Sequence, residues 1–226
     1  MNKFNLTGEI TEDNISAAIS FLELSKGESE VTFYIDSPGG SVFDGLKLLR
    51  AMDSFEGKII AECGVVVASM AAFIALASDE IHITRDTFML IHSAWSYAEG
   101  TAEDLRATAD LLEQASNRLG EIVSSKIKNK DDVEAYMSKD TWLGADSILE
   151  AFNGIVLVEE KRFDKELAAS YSLLRNRPAA LIELEEKEKE PEPVPEPEPT
   201  PEPEPEPEPV DNAYALSVLA KAEIIL

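Results

Sequence analysis

A serine enclosed by apolar residues, Val65-Val66-Val67-Ala68-Ser69-Met70-Ala71-Ala72-Phe73, is the first position whose setting suggests chemistry. A helix starting at Ser69 would leave unpaired amides and the positive end of its dipole beside the hydroxyl, easing negative charge on a bound acyl oxygen. A buried serine bonded back to its own helix produces the same pattern. His92 closes the run Met89-Leu90-Ile91-His92, and a strand-end imidazole can deprotonate a hydroxyl near neutral pH or simply sit satisfied at the edge of a core. Asp140, ahead of Thr141-Trp142, reads as a turn residue before a helix, able to orient an imidazole or to cap that helix. Gly39-Gly40 follows an apolar strand, where glycine lets backbone amides approach a ligand or merely closes a tight turn. His82 has charged and polar neighbours and is expected to face solvent. Cys63, the single cysteine, lies among apolar residues and reads as a buried structural thiol; one cysteine forms no intrachain disulfide, so a reducing compartment is the expectation.

The elements that must position these side chains alternate in type. Val31–Ile35, Lys58–Ala61, Glu80–Ile83, Phe88–Ile91 and Ile155–Val158 are short runs rich in apolar residues and read as strands. Between them Asp13–Leu24, Phe43–Ser54, Ser69–Ala77, Thr101–Lys128 and Ala145–Phe152 carry helical patterns, which indicates an α/β domain. On the longest helix Leu105, Ala109, Leu112, Ala115, Leu119 and Ile122 form one apolar face. That face suits packing on its own domain or reaching a neighbouring subunit.

In succession, Leu6-Thr7-Gly8-Glu9-Ile10, IDSPGGSV (Ile35–Val42), VVASMAA (Val66–Ala72), FMLIHS (Phe88–Ser93) and SKDTWLGADSILEAFNGIV (Ser138–Val156) resemble the Clp protease proteolytic subunit (ClpP) and its phage head-maturation relatives. The resemblance covers about Leu6 to Val158. It implies a crotonase-like α/β fold of repeated ββα units, with Thr101–Lys128 as a handle helix between stacked rings. It implies Ser69 as nucleophile, His92 as general base, Asp140 as the acid that orients the histidine, and the Gly40 and Met70 amides as the oxyanion hole. It implies no metal and no cofactor. The chain departs from the cellular enzymes at four points. Met70-Ala71 stands where they usually have Met-Gly, and His92 is followed by Ser93-Ala94 instead of Gln-Pro. Thr141 stands where many place an arginine, and only five residues precede Leu6, so an axial loop for an ATPase is not expected. These departures point towards the phage branch.

Composition divides the chain of 226 residues further. It carries 44 Asp and Glu against 20 Lys and Arg, a formal charge of −24, with 44% hydrophobic residues to build a core. Residues 183–210 hold twelve Glu, two Lys and ten of the twelve prolines, a net −10, whereas residues 1–182 hold 30 acids and 17 bases, a net −13. The excess of acid excludes nucleic acid as a main partner and disfavours an anionic membrane surface. No signal peptide and no run long enough to span a bilayer is read, so the expected location is cytoplasmic, either host cytoplasm or the inside of a procapsid. The expected domains are 1–162, a ClpP-like protease domain; 163–182, a helix and linker; 183–210, an extended Glu/Pro spacer; and 211–226, an apolar terminal segment. The spacer would span roughly 60 Å from Pro191 to Pro209 at about 3.1 Å per residue.

Together these features lead to an ATP-independent serine endopeptidase that cleaves scaffold and coat polypeptides during viral procapsid maturation. It would assemble as a homo-oligomeric ring, with the C-terminal tail contacting scaffold or coat protein. The alternatives are a general ClpP-type peptidase working with an unfoldase, and a non-catalytic assembly module on a protease fold.

Overall fold

The computed structural model describes residues 2–159. The helix and linker expected at 163–182, the spacer at 183–210 and the apolar segment at 211–226 lie outside the described residues. The ordered elements are β1 (Lys3–Thr7), α1 (Glu12–Leu24), β2 (Glu30–Ser37), α2 (Val42–Asp53), β3 (Lys58–Ala68), α3 (Met70–Ala77), β4 (Glu80–Ile83) and β5 (Phe88–Ile91). They continue through α4 (Ala102–Lys126), a short 3-10 turn (Lys130–Asp132), α5 (Val133–Met137), β6 (Thr141–Gly144), α6 (Ala145–Ala151) and β7 (Ile155–Leu157). Strands β1-β2-β3-β4-β7 lie side by side in that order and all pair in parallel. Parallel neighbours require crossovers, and helices α1, α2 and α3 supply them between successive strands. The α/β expectation is met.

Local chemistry explains where the helices begin. Thr11 and Asn14 form a reciprocal capping box at the start of α1, and the Ser41 hydroxyl accepts the Asp44 amide at the start of α2. α1 buries Ile15, Ala18 and Leu22 on one face. α3 has no polar face: Met70 through Leu76 are all buried, which makes it the central helix of the core. Phe33, Phe73 and Phe152 are the bulkiest fully buried side chains.

β3 is longer than its first four residues suggest, running to Ala68 through Glu62, Cys63 and Gly64. It also changes partners. Ile60–Glu62 pair with β4, whereas Val66–Ala68 pair with β5. Opposite β2 the register slips at the same place: Ile35 faces Cys63, but Ser37 faces Val67. β3 therefore carries two extra residues in a bulge. Beyond it, β5 and the antiparallel β6 form an extension of the sheet, with Val66, Ala68, Leu90 and Trp142 packed on one side.

α4 divides in two. Ala115, Leu119, Ile122 and Val123 are buried on the core, while towards the N-terminus of the stripe Leu105 is 43% exposed, Ala109 is exposed and Leu112 is half-buried. Packing on its own domain thus covers only the C-terminal half of the stripe. Among the described residues, no helix is long and apolar enough to cross a membrane.

Candidate active site

Ser69 lies between the end of β3 and the start of α3 with φ 53° and ψ −127°, and among the described residues it is the only non-glycine with positive φ. Such a conformation costs on the order of 1–3 kcal/mol and persists only where surrounding packing enforces it. Here the enforcement is visible. The Ser69 amide donates to Leu90 O at 2.9 Å on one side, and its carbonyl accepts the Ala72 amide at 2.9 Å on the other. The hydroxyl makes no capping bond to its own helix. It lies 2.7 Å from His92 Nε2 instead. Of the two readings open for this serine, the one in which it bonds to its own helix is removed.

His92 follows the last residue of β5, and Asp140 precedes the first residue of β6. These strands pair antiparallel with Ile91 opposite Thr141. One further step in that register brings Asp140 across from His92, and Asp140 Oδ1 is 3.2 Å from His92 Nδ1. Asp140 therefore stands before a strand, not before a helix. It is not the N-cap of the helix that follows: α6 starts at Ala145 with Gly144 as its N-cap residue. The reason is non-local, since Thr141–Gly144 become a strand only by pairing with β5. The segment after His92 is fixed as well, because the Ser93 amide and hydroxyl both donate to Met137 O at 2.9 Å. Met137 ends α5, three residues before Asp140, so one carbonyl ties the histidine and aspartate segments together.

Burial and charge act on His92 in opposite senses. Burial is the larger influence and lowers its pKa below the usual 6.5, while the charge and hydrogen bond of Asp140 raise it. The net result favours neutral imidazole at pH 7. With Nδ1–H donated to Asp140, Nε2 is left to accept the Ser69 proton.

Gly39 and Gly40 have φ of 90° and 148°, and both are packed too tightly for a side chain. A Cβ on Gly39 would lie 2.6 Å from Ala68 O and from Ser69 Cβ, and 3.0 Å from the Met70 amide nitrogen. The β2–α2 loop is thus pressed directly against the serine turn. A single parallel bridge holds its outer side: the Ile10 amide donates to Gly39 O at 2.7 Å, and the Ser41 amide donates to Ile10 O at 3.0 Å. This ladder skips the Gly40 amide. Among the described residues neither the Gly40 nor the Met70 amide has a hydrogen-bond acceptor. Two free amides beside the Ser69 hydroxyl have the arrangement that holding an oxyanion would require.

All five residues line one cavity of about 560 Å³, whose apolar wall includes Phe73, Leu119 and Met137. The other residues singled out by sequence are elsewhere. Cys63 is buried and has no charged partner to activate it; burial, with a smaller push from Asp36, raises its thiol to about 12. His82, expected to face solvent, is only 22% exposed, and its Nε2 pairs with Glu80 Oε1 at 2.5 Å. It sits on β4, which pairs with β3 before the bulge, apart from the cavity. Among the described residues no group of His, Cys, Asp or Glu could hold a metal ion.

Comparison with known proteins agrees with this architecture. The Clp protease family profile matches residues 4–156. An ATP-dependent Clp protease proteolytic subunit 1 of Prochlorococcus marinus subsp. pastoris is 34% identical over 137 residues, covering 57% of this chain and 70% of the relative. An ATP-dependent Clp protease proteolytic subunit 2 of Synechococcus sp. is 31% identical over 142 residues, covering 57% and 72%. A further subunit 1, from Leifsonia xyli subsp. xyli, is 29% identical over 151 residues, covering 64% and 77%.

Proposed function

The chain belongs to the Clp protease family, and from that premise we propose that this Clp-type peptidase is a serine endopeptidase in which Ser69, His92 and Asp140 act as a triad. The observation that carries the reading is the hydrogen-bonded line from the Ser69 hydroxyl to His92 at 2.7 Å and on to Asp140 at 3.2 Å. The chain order Ser, His, Asp is immaterial, because only the spatial roles matter.

The chemistry follows from those atoms. Neutral His92 accepts the Ser69 proton at Nε2 as the oxygen attacks a peptide carbonyl, and Asp140 stabilises the imidazolium that forms. The carbonyl oxygen becomes an oxyanion held by the Gly40 and Met70 amides. His92 then gives its proton to the leaving amine, the acyl-enzyme forms, and water brought in on the same path releases the second product. No metal or cofactor takes part in this sequence.

The finer reading is ATP-independent cleavage of scaffold and coat polypeptides during viral procapsid maturation, by a homo-oligomeric ring. Support comes from Ser93-Ala94 after His92 and from the acidic, proline-rich sequence of residues 183–210, which suits a tether ending in the apolar residues 211–226. The exposed first half of α4, with Leu105 and Leu111, supports a contact between subunits. The relatives are named ATP-dependent proteolytic subunits, which favours a second reading in which the chain works with an unfoldase in general protein degradation.

One experiment separates these. A fluorophosphonate probe is applied to the full chain, to Ser69→Ala and to a chain lacking Val210–Leu226. Labelling that requires Ser69 supports the serine peptidase, and absence of labelling under assembly conditions refutes it in favour of an assembly module. Deletion of Val210–Leu226 is expected to leave labelling intact and to abolish incorporation into particles. Unchanged incorporation sinks the tether, and co-purification of an unfoldase supports the second reading.

A further inference from the structure

The bulge in β3 is built from side chains that the triad does not use. Asp36 is 1% exposed, and its carboxylate accepts the Val66 amide at 3.1 Å, the Val65 amide at 3.4 Å and the Tyr34 hydroxyl at 3.3 Å. Val65 and Val66 are residues of the bulge, where register with β2 is lost, so the carboxylate supplies acceptors that the ladder does not. Gly64 makes this approach possible, because any Cβ there would collide with the Asp36 carboxylate. The Gly64 carbonyl is satisfied from the other side. It accepts the hydroxyl of fully buried Thr87 at 3.0 Å, and Thr87 Oγ1 itself accepts the Thr84 amide at 3.1 Å.

Each partner in this junction leads directly into a different wall of the active site. Asp36 is three and four residues ahead of Gly39 and Gly40, Gly64 is five ahead of Ser69, and Thr87 is five ahead of His92. The junction also lies where β3 leaves β4 and takes up β5, which is the change of partner that brings Ser69 beside His92. We infer that Asp36, Gly64 and Thr87 are positioning residues that set the oxyanion loop, the nucleophile and the base relative to one another. The inference rests on the serine-peptidase reading and extends it from the five site residues to the buried knot beneath them. Displacement of the β5 end relative to the β3 end would lengthen the contact between Ser69 and His92 without touching the binding walls. Misplacement of about 1 Å in such a contact costs on the order of a hundredfold in rate.

The test uses Thr87, where the hydroxyl can be removed with little change in shape. Thr87→Val is expected to lower kcat and the rate of fluorophosphonate labelling about ten- to a hundredfold while KM changes less than about threefold. Thr87→Ser restores the hydroxyl and is expected to return both rates to within about threefold of the parent. Asp36→Asn, which keeps one acceptor of two, should fall between them. Leu22→Ala in α1, remote from the cavity, serves as the stability control. If Leu22→Ala lowers the thermal midpoint as far as Thr87→Val and lowers kcat equally, the role is structural and the inference fails. Wild-type rates in Thr87→Val overturn it as well. If the unmodified protein is not labelled through Ser69 at all, the peptidase reading itself fails, so the two failures are distinct.

Discussion

Replacing Asp140 by asparagine isolates what the carboxylate does for His92. The substitution preserves shape and leaves the pairing of β5 with β6 untouched, because Asp140 lies just outside the paired residues. In the parent, His92 Nδ1–H donates to Oδ1 at 3.2 Å, which leaves Nε2 free to accept from Ser69. Asparagine offers an N–H to Nδ1, which places the imidazole proton on Nε2, where it cannot serve as base. Recovering the productive tautomer forfeits that new bond, about 0.5–1.5 kcal/mol, in addition to the lost charge-assisted bond, about 1.5–3 kcal/mol. The total, about 2–4.5 kcal/mol, corresponds to roughly thirty- to two-thousand-fold in kcat. A second readout fixes the sign. In the proposed mechanism His92 acts as a base when neutral, so kcat/KM should rise with pH through its pKa, which burial sets below 6.5 in the parent. Asp140 supplies both influences that raise this pKa, so its loss moves the acid limb to still lower pH. Steady-state cleavage of a fluorogenic peptide from pH 4.5 to 8 measures both quantities. A kcat within threefold of the parent, or an acid limb displaced upward, refutes the orienting role.

Two further outcomes follow from the same geometry. Among inactive variants, Ser69→Gly is expected to be more stable than Ser69→Ala by about 0.5–2 kcal/mol, because glycine accepts the positive φ and only part of that gain is offset by its greater freedom when unfolded. Thermal unfolding checks this, and an alanine variant that melts as high as the glycine variant contradicts strain at this turn. The Cys63 thiol, held at about 12 by burial, should resist iodoacetamide at pH 7.5 in the native protein and react once urea unfolds it. Rapid alkylation in native buffer would show that the thiol is accessible.

The sequence is most informative where structure is decided locally. Helices α1, α2, α3, α4 and α6 are legible from apolar spacing and end within a few residues of their expected bounds. Strands β2, β4, β5 and β7 show as apolar runs. The elements that escape are those whose state depends on a partner. β1, KFNLT, is a partly polar edge strand, and β6, TWLG, is four residues that pair only because β5 lies alongside. α5, with five residues, is too short for its periodicity to register. β3 reads as ending at Ala61 because Glu62, Cys63 and Gly64 interrupt the apolar pattern, yet those residues open a bulge inside a continuous strand. The strained φ of Ser69 has no signature in residue type at all. Nothing about a serine announces positive φ, and only the packing of Leu90 and Gly39 around it imposes one.

The site shows the same division between local and non-local information. In a sheet of parallel strands every strand ends at the same edge, so residues that follow strand ends gather there whatever their distance in sequence. Gly39 and Gly40 follow β2, Ser69 follows β3 and His92 follows β5, and these three strands are mutually parallel. Recognising three strands is then enough to bring Gly39-Gly40, Ser69 and His92 to one edge before any side chain is placed. Asp140 reaches that edge by the opposite route. It precedes an antiparallel strand, and the start of β6 lies beside the end of β5. A reader who takes Thr141–Gly144 for a turn has no reason to bring Asp140 to His92, and is left with a helix cap as the plausible local role. The difficulty of placing Asp140 beside His92 from sequence therefore has a specific cause. Ser69 and His92 are positioned by topology that alternation reveals, whereas Asp140 is positioned by one antiparallel pairing that it does not.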